Sequence, residues 1–226
     1  METIEIESGH TGGAIRLMRR FAERTGLFAT SSETVSTGHR YLWTDAFAVC
    51  NYLGLAASTG DPSYRSLALR LVDRVHHELG RHRSDDARQG WISDLTEEEG
   101  EAHPTIGGLR IGKPLPERAA TEPWDPDLEW ERDGQYFHYL TKWAHALDRT
   151  TQSTGRSVFH LWACELMETA YGSFTHGNAN APRMYWKLSI DLVTPVVPSM
   201  GQHDPLDGFV TCAELESTAA AVRPES

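Results

Sequence analysis

The sequence predicts an all-α fold: an array of helical hairpins in one domain, residues 1–226, with a long ordered loop that forms at most a small β-ribbon. Three observations carry this expectation. Apolar residues recur at helical spacing through most of the chain, whereas strand alternation is weak. Two distant segments, "ASTGDPSY" (57–64) and "QSTGRSVF" (152–159), share one pattern: a tight Thr-Gly turn joining an apolar helix to an amphipathic one. The length of 226 residues, with 39% hydrophobic and 23% charged residues, suits one globular domain able to bury its own core.

Taken in order, residues 13–25 set Ala14, Leu17, Met18 and Phe21 against Arg16, Arg19, Arg20 and Glu23, which is the pattern of a surface helix. Residues 40–57 are apolar nearly all round and predict a buried helix. Residues 63–80 return to one stripe, Ala68, Leu71, Val72, Val75 and Leu79. Residues 134–149 carry Tyr136, Tyr139, Leu140, Trp143 and Leu147, and residues 157–174 carry Phe159, Trp162, Ala163, Leu166, Met167 and Ala170. Shorter helices are expected at 183–191 and 208–221, a ribbon around "IGGLRIGK", and a frayed tail at 219–226. Aligning Thr59 with Thr154 matches Tyr64 to Phe159, Ala68 to Ala163 and Leu71 to Leu166, so the hairpin repeats.

With "TGDPSY" opening the outer helix of such a pair, the alternation of buried and amphipathic helices over roughly residues 12–175 resembles the (α/α) toroids of six-hairpin glycosidases and N-acylglucosamine 2-epimerases. Twelve helices of about 12 residues need well over ~200 residues with their connections, so the resemblance implies a partial toroid. An incomplete toroid leaves room for an oligomer. It also implies a carbohydrate-active enzyme, glycoside-hydrolase-like, with a saccharide or other small-molecule substrate and no cofactor.

Composition excludes other classes. The net charge of −11 disfavours nucleic-acid binding, which needs clustered Lys and Arg. The acidic N-terminus lacks the apolar run of a signal peptide, and no stretch reaches membrane-spanning length. Three cysteines without CxxC spacing argue against a disulfide framework or a zinc site, and a cytoplasmic location is expected. "HHELGRH" misses the HExxH zinc spacing by one residue and predicts an exposed, His-rich helix end. "GGLRIGKP" has Pro114 where a phosphate loop needs Ser or Thr.

Every second connection of a hairpin array lies on one face. The long segment 83–133, with Trp91, Ile92, Ile111 and Trp124, is therefore expected as an ordered lid over that face. The expected site gathers there. Asp45, among apolar neighbours, either pairs with Arg40 or points into the mouth of the array. Asp133-Gly134 and Asp207-Gly208 are candidate helix caps. In "GQHDPLDG" (201–208), Asp207 is expected to cap, while Gln202, His203 and Asp204 offer a polar ligand set. Paired carboxylates with aromatic platforms are the equipment of glycoside hydrolysis. The candidate catalytic residues are Asp45, Glu98, Asp133 and Asp204. The candidate substrate-binding residues are Trp43, Trp91, Trp124, Gln135, Tyr136, His138 and His203. An epimerase variant would use His138 or His203 as the proton-transfer base. A non-enzymatic helical-repeat interaction protein is the second class. The polar stripe His138, Lys142, His145 fits either a solvated face or a substrate-lining one.

Overall fold

A computed structural model describes residues 2–28, 39–119, 121–178, 180–197, 201 and 203–221, with side chains from residue 11 onward. The chain runs α1 (Glu2–Arg24), α2 (Leu42–Thr59), α3 (Pro62–Leu79), α4 (Glu97–Ala102), α5 (Pro126–Glu131), β1 (Gln135–Tyr136), α6 (Phe137–Thr154), α7 (Val158–Phe174), β2 (Thr175–Asn178), β3 (Ala181–Met184), β4 (Lys187–Leu188), β5 (Pro195–Val197) and α8 (Asp204–Ala221). It is mostly helical, with small antiparallel sheets in place of a purely all-α fold. Among the described residues, no helix is long and apolar enough to cross a membrane.

The repeated turn has one stereochemical cause. Thr59 and Thr154 each end a helix by returning their hydroxyl to the carbonyl four residues back, at 2.6 and 2.7 Å. The glycine that follows takes the left-handed conformation, φ 73° at Gly60 and 71° at Gly155, which a side chain would oppose. The same threonine oxygens then accept the N–H of Asp61 and of Arg156. Past the turn the apolar register also repeats, with Ala68, Leu71, Ala163 and Leu166 all fully buried.

The hairpins α2–α3 and α6–α7 pack through α2 and α6, and α8 lies along α6. Contacts between like ends make α2, α6 and α8 parallel: Trp43 meets Tyr139, Lys142 meets Asp207, and Gln152 meets Thr218. One end of the bundle therefore holds the two short turns. The other, the loop end, holds the starts of α2, α6 and α8 and the ends of α3 and α7. The core is Leu42, Val49, Tyr52, Leu71, Val75, Leu140, Trp143, Leu147, Leu166 and Phe174 with their neighbours.

The polar stripe on α6 is not a solvated face. His138, Lys142 and His145 pair with Asp204, Asp207 and Glu214 of α8 at 3.5, 3.1 and 2.7 Å, so one helix supplies the bases and the next the acids. On α1 the buried face is rotated from the expected one. Met18 and Ala22 are buried while Ala14 and Leu17 are exposed, and the Tyr52 hydroxyl donates to the Met18 carbonyl at 2.8 Å.

Four other expectations fail. Residues 183–191 form no helix but the end of β3, a link, β4 and a turn: β3 pairs with β2, and β4 pairs with both β1 and β5. The stretch 106–113 forms no strand. Its irregular backbone instead ties elements together, Arg110 N–H to Leu79 O, Ile111 N–H to Gly134 O, and Leu42 N–H to Ile111 O. Asp133 does not cap α6, which starts at Phe137 after Tyr136. And α8 starts at Asp204, with Pro205 tolerated in its first turn and Asp207 already inside it. Residues 29–38, Gln202 and residues 222–226 lie outside the described residues.

Candidate functional site

At the loop end, three helix starts and the β3–β4 link bring aromatic rings around one imidazole. His138, in the first turn of α6, is stacked by Tyr136 at 5.3 Å and flanked edge-on by Tyr139 at 4.9 Å and Trp43 at 5.8 Å. Trp186 closes a further side at 6.2 Å and directs its indole N–H to His138 Nδ1 at 3.3 Å. Tyr41 and Tyr139 join through their hydroxyls. Tyr136 is buried, while Tyr41, Trp43, His138, Tyr139 and Trp186 are half-buried, so the cluster meets solvent on one side.

Asp204 stands 3.5 Å from His138 Nδ1, delivered by the first residue of α8. Its Oδ2 is buried and finds no hydrogen-bond partner among the described residues. Burial, aided by the negative charge of Asp207, pushes this carboxyl up to about 6, against the opposing pull of His203 and Lys142. Burial likewise holds His138 down to about 4, so the ring is neutral near neutrality. Two arrangements then compete at Nδ1. With Asp204 protonated, the single Nδ1 lone pair accepts the Trp186 indole N–H, and the ring proton sits on Nε2. With Asp204 ionised, an Nδ1–H turned to the carboxylate is favoured at the expense of the Trp186 bond, and Nε2 carries the lone pair. Ionising Asp204 therefore converts His138 Nε2 from donor to base.

The expected site residues divide into three groups. His138, Trp43, Tyr136 and Asp204 come together in this cluster. His203 adjoins Asp204 but is exposed. A second group sits at the same end with structural partners. Asp45 Oδ2 lies 3.7 Å from Arg40 Nε, too far for a hydrogen bond, and burial outweighs that attraction, pushing the carboxyl up to about 7. Asp133 is saturated by the Arg110 guanidinium at 2.6 Å and by the N–H groups of Gly112, Lys113 and Gly134 at 2.9, 3.2 and 3.1 Å. Gln135 is fully buried, accepting from Leu109 N–H and donating to Gly107 O and Ile190 O. The third group lies elsewhere. Glu98 is exposed on α4, and Trp124 is 55% exposed. Trp91 is buried against His77, Arg81 and Gly100, away from His138. The 83–133 segment thus braces α3 and α7, through His103–Glu165 and the Thr105 hydroxyl on Trp162 O.

The His-rich end of α3 is only in part the exposed segment expected: His77 is exposed but His76 is not. His76 is buried and accepts the Trp143 indole N–H at 3.1 Å, and burial holds it down to about 3. His77 bonds Glu101 at 2.8 Å, and both histidines border an open groove of about 150 Å³ between α3 and α7. No group of three or more His, Cys, Asp or Glu among the described residues is placed to hold a metal ion. Sequence reasoning missed Trp186 and Tyr41. Trp186 lay in a segment expected to be helical, and Tyr41 next to Arg40 gave no chemical signal. No protein family, curated protein or solved structure matches the chain.

Proposed function

We propose that this chain is a carbohydrate-active enzyme that transfers a proton through His138, with Asp204 selecting the tautomer. The carrying observation is the neutral His138 imidazole beside Asp204, set among half-exposed aromatic rings. A sugar's apolar C–H face stacks on aromatic rings, and a neutral imidazole is the group suited to moving a proton near neutral pH. This favours the epimerase-like chemistry over two-carboxylate hydrolysis. Asp45 and Asp133 are engaged by buried arginines, and Glu98 is on a different element, so Asp204 has none of them as a facing carboxylate partner. Parallel inner helices α2, α6 and α8 with antiparallel outer helices α3 and α7 support placing the chain as an arc of an (α/α) toroid.

The test is proton exchange. Wild-type protein incubated with a panel of reducing sugars and N-acylated amino sugars in D₂O is expected to introduce deuterium at one sugar carbon, read by NMR. His138→Gln and Asp204→Asn are expected to lose it while staying folded. If no panel member exchanges or perturbs the resonances of the aromatic cluster, the proposal fails. A second reading, a helical interaction protein, is favoured by the exposed Leu206, Phe209 and Val210 at the start of α8.

A further inference from the structure

At the opposite, short-turn end of the bundle, three side chains that the aromatic cluster does not use form a line. Asp148 lies ten residues beyond His138 on α6, about 15 Å along the axis, so this is a separate place. His160 and Cys164 sit one helical turn apart on α7 and face the same way. Cys164 Sγ is 3.5 Å from His160 Nε2, and His160 Nδ1 is 3.5 Å from Asp148 Oδ1. We infer that Cys164 is a nucleophilic thiol, with His160 as its base and Asp148 as the residue that positions that base, and that it takes small electrophilic carbon compounds in covalent linkage.

The carboxylate is built in rather than incidental. Asp148 is 1% exposed, and its Oδ2 is fixed by Gln152 Nε2 at 2.8 Å and by the Thr218 hydroxyl of α8 at 3.0 Å. Its Oδ1 and His160 Nδ1 are both buried without a hydrogen bond among the described residues, and they lie 3.5 Å apart. An acceptor facing Nδ1 favours the Nδ1–H tautomer, which leaves the Nε2 lone pair turned to the sulfur. Nucleophile, base and orienting carboxylate in this order are the arrangement that activates a side chain for attack.

Burial, then Glu168, Asp148, Cys212 and Glu165, push the Cys164 thiol up, so the resting group is S–H. The base therefore acts during the attack. With iodoacetamide as the electrophile, the C–S bond forms as the C–I bond breaks, iodide leaves, and the thiol proton passes to His160 Nε2 and then to solvent. The acidic neighbours Glu165 and Glu168 on α7 and Asp148 on α6 disfavour an anionic reagent, so neutral electrophiles are the class this thiol accepts.

Exposure ranks the thiols the other way: Cys212 is exposed, and Cys50 and Cys164 are only half-buried. The decisive measurement is site-resolved labelling of the native wild-type chain with iodoacetamide at neutral pH, read by peptide mass spectrometry. Cys164 is expected to label before Cys212, and iodoacetate to lag iodoacetamide at Cys164 more than it does on free cysteine. Labelling of Cys212 first overturns the inference. In His160→Gln, Cys164 labelling at neutral pH is expected to fall about 10²-fold, the lower range for general-base assistance. It should recover only under alkaline conditions, with the Cys212 rate unchanged as the internal measure of folding; Asp148→Asn is expected to slow it in the same direction. An unchanged Cys164 rate in folded His160→Gln refutes the role of the base. If that variant unfolds, both rates rise together, and the wild-type ranking decides alone.

Discussion

Asp133→Ala should be among the most damaging single substitutions at the loop end, although Asp133 touches none of the rings around His138. Its carboxylate is fully buried. One oxygen takes the Arg110 guanidinium at 2.6 Å with Arg83 at 3.4 Å, and the other takes three backbone N–H groups, of Gly112, Lys113 and Gly134. Arg110 in turn bonds the carbonyls of Arg81 and Glu78, so Asp133 anchors the end of α3 to the loop that precedes α6. Removing one partner of a buried pair leaves an uncompensated charge, which costs about 3–5 kcal/mol. The two carbonyls that Arg110 keeps place the expectation toward the lower end. In a domain stable by about 5–15 kcal/mol this is a large fraction of the total. Urea denaturation should show the midpoint falling with the slope unchanged. Asp133→Ala combined with Arg110→Met should recover part of the loss, because the stranded charge goes too. A cost under about 1 kcal/mol, the range of an exposed pair, would refute the reasoning.

Three further outcomes are expected. His76 is held down to about 3 against an ordinary 6.5, so between those values the unfolded chain binds more protons; stability falls as pH drops through that window, and thermal melts of His76→Asn should show a shallower fall. Asp45 has the opposite sign: pushed up to about 7 from 3.8, it stays protonated in the folded chain, so its contribution is lost as pH rises through that range, and Asp45→Asn should flatten the decline. Gly112 has φ +84°, and a Cβ there would run into the Arg40 carbonyl oxygen, so Gly112→Ala should lower the urea midpoint. Backbone strain alone is worth about 1–3 kcal/mol, and displacing Arg40 adds to it.

Much of the candidate site was visible as residue types but not as partners. The i, i+4, i+7 stripe of His138, Lys142 and His145 stood out on α6, and Asp204 and Asp207 stood out at the start of α8, whereas Glu214 gave no signal. Reading each alone left the stripe open between a solvated and a substrate-lining face and made Asp207 a cap. Their match depends on α8 lying parallel to α6, which no local pattern encodes. The same holds for the thiol line: the four-residue spacing of His160 and Cys164 is written in the sequence, but Asp148 reaches them only because α6 and α7 fold back at Gly155.

By itself the sequence determined whatever depends on neighbours within a turn or two. The long helices α2, α3, α6 and α7 follow from apolar spacing, and the two tight turns follow from Thr-Gly, because a helical face and a left-handed glycine are local consequences of side-chain size and backbone freedom. Tertiary structure decided what depends on burial across elements. Asp45, Asp133 and Asp204 are similar residues at the same end of the bundle. One meets an arginine beyond hydrogen-bond reach, one is saturated by five donors, and one has an oxygen with no hydrogen-bond partner among the described residues, beside an imidazole. A carboxylate's chemistry is set by the charges and donors within a few ångströms and by the water excluded around it, and those come from residues distant in the chain.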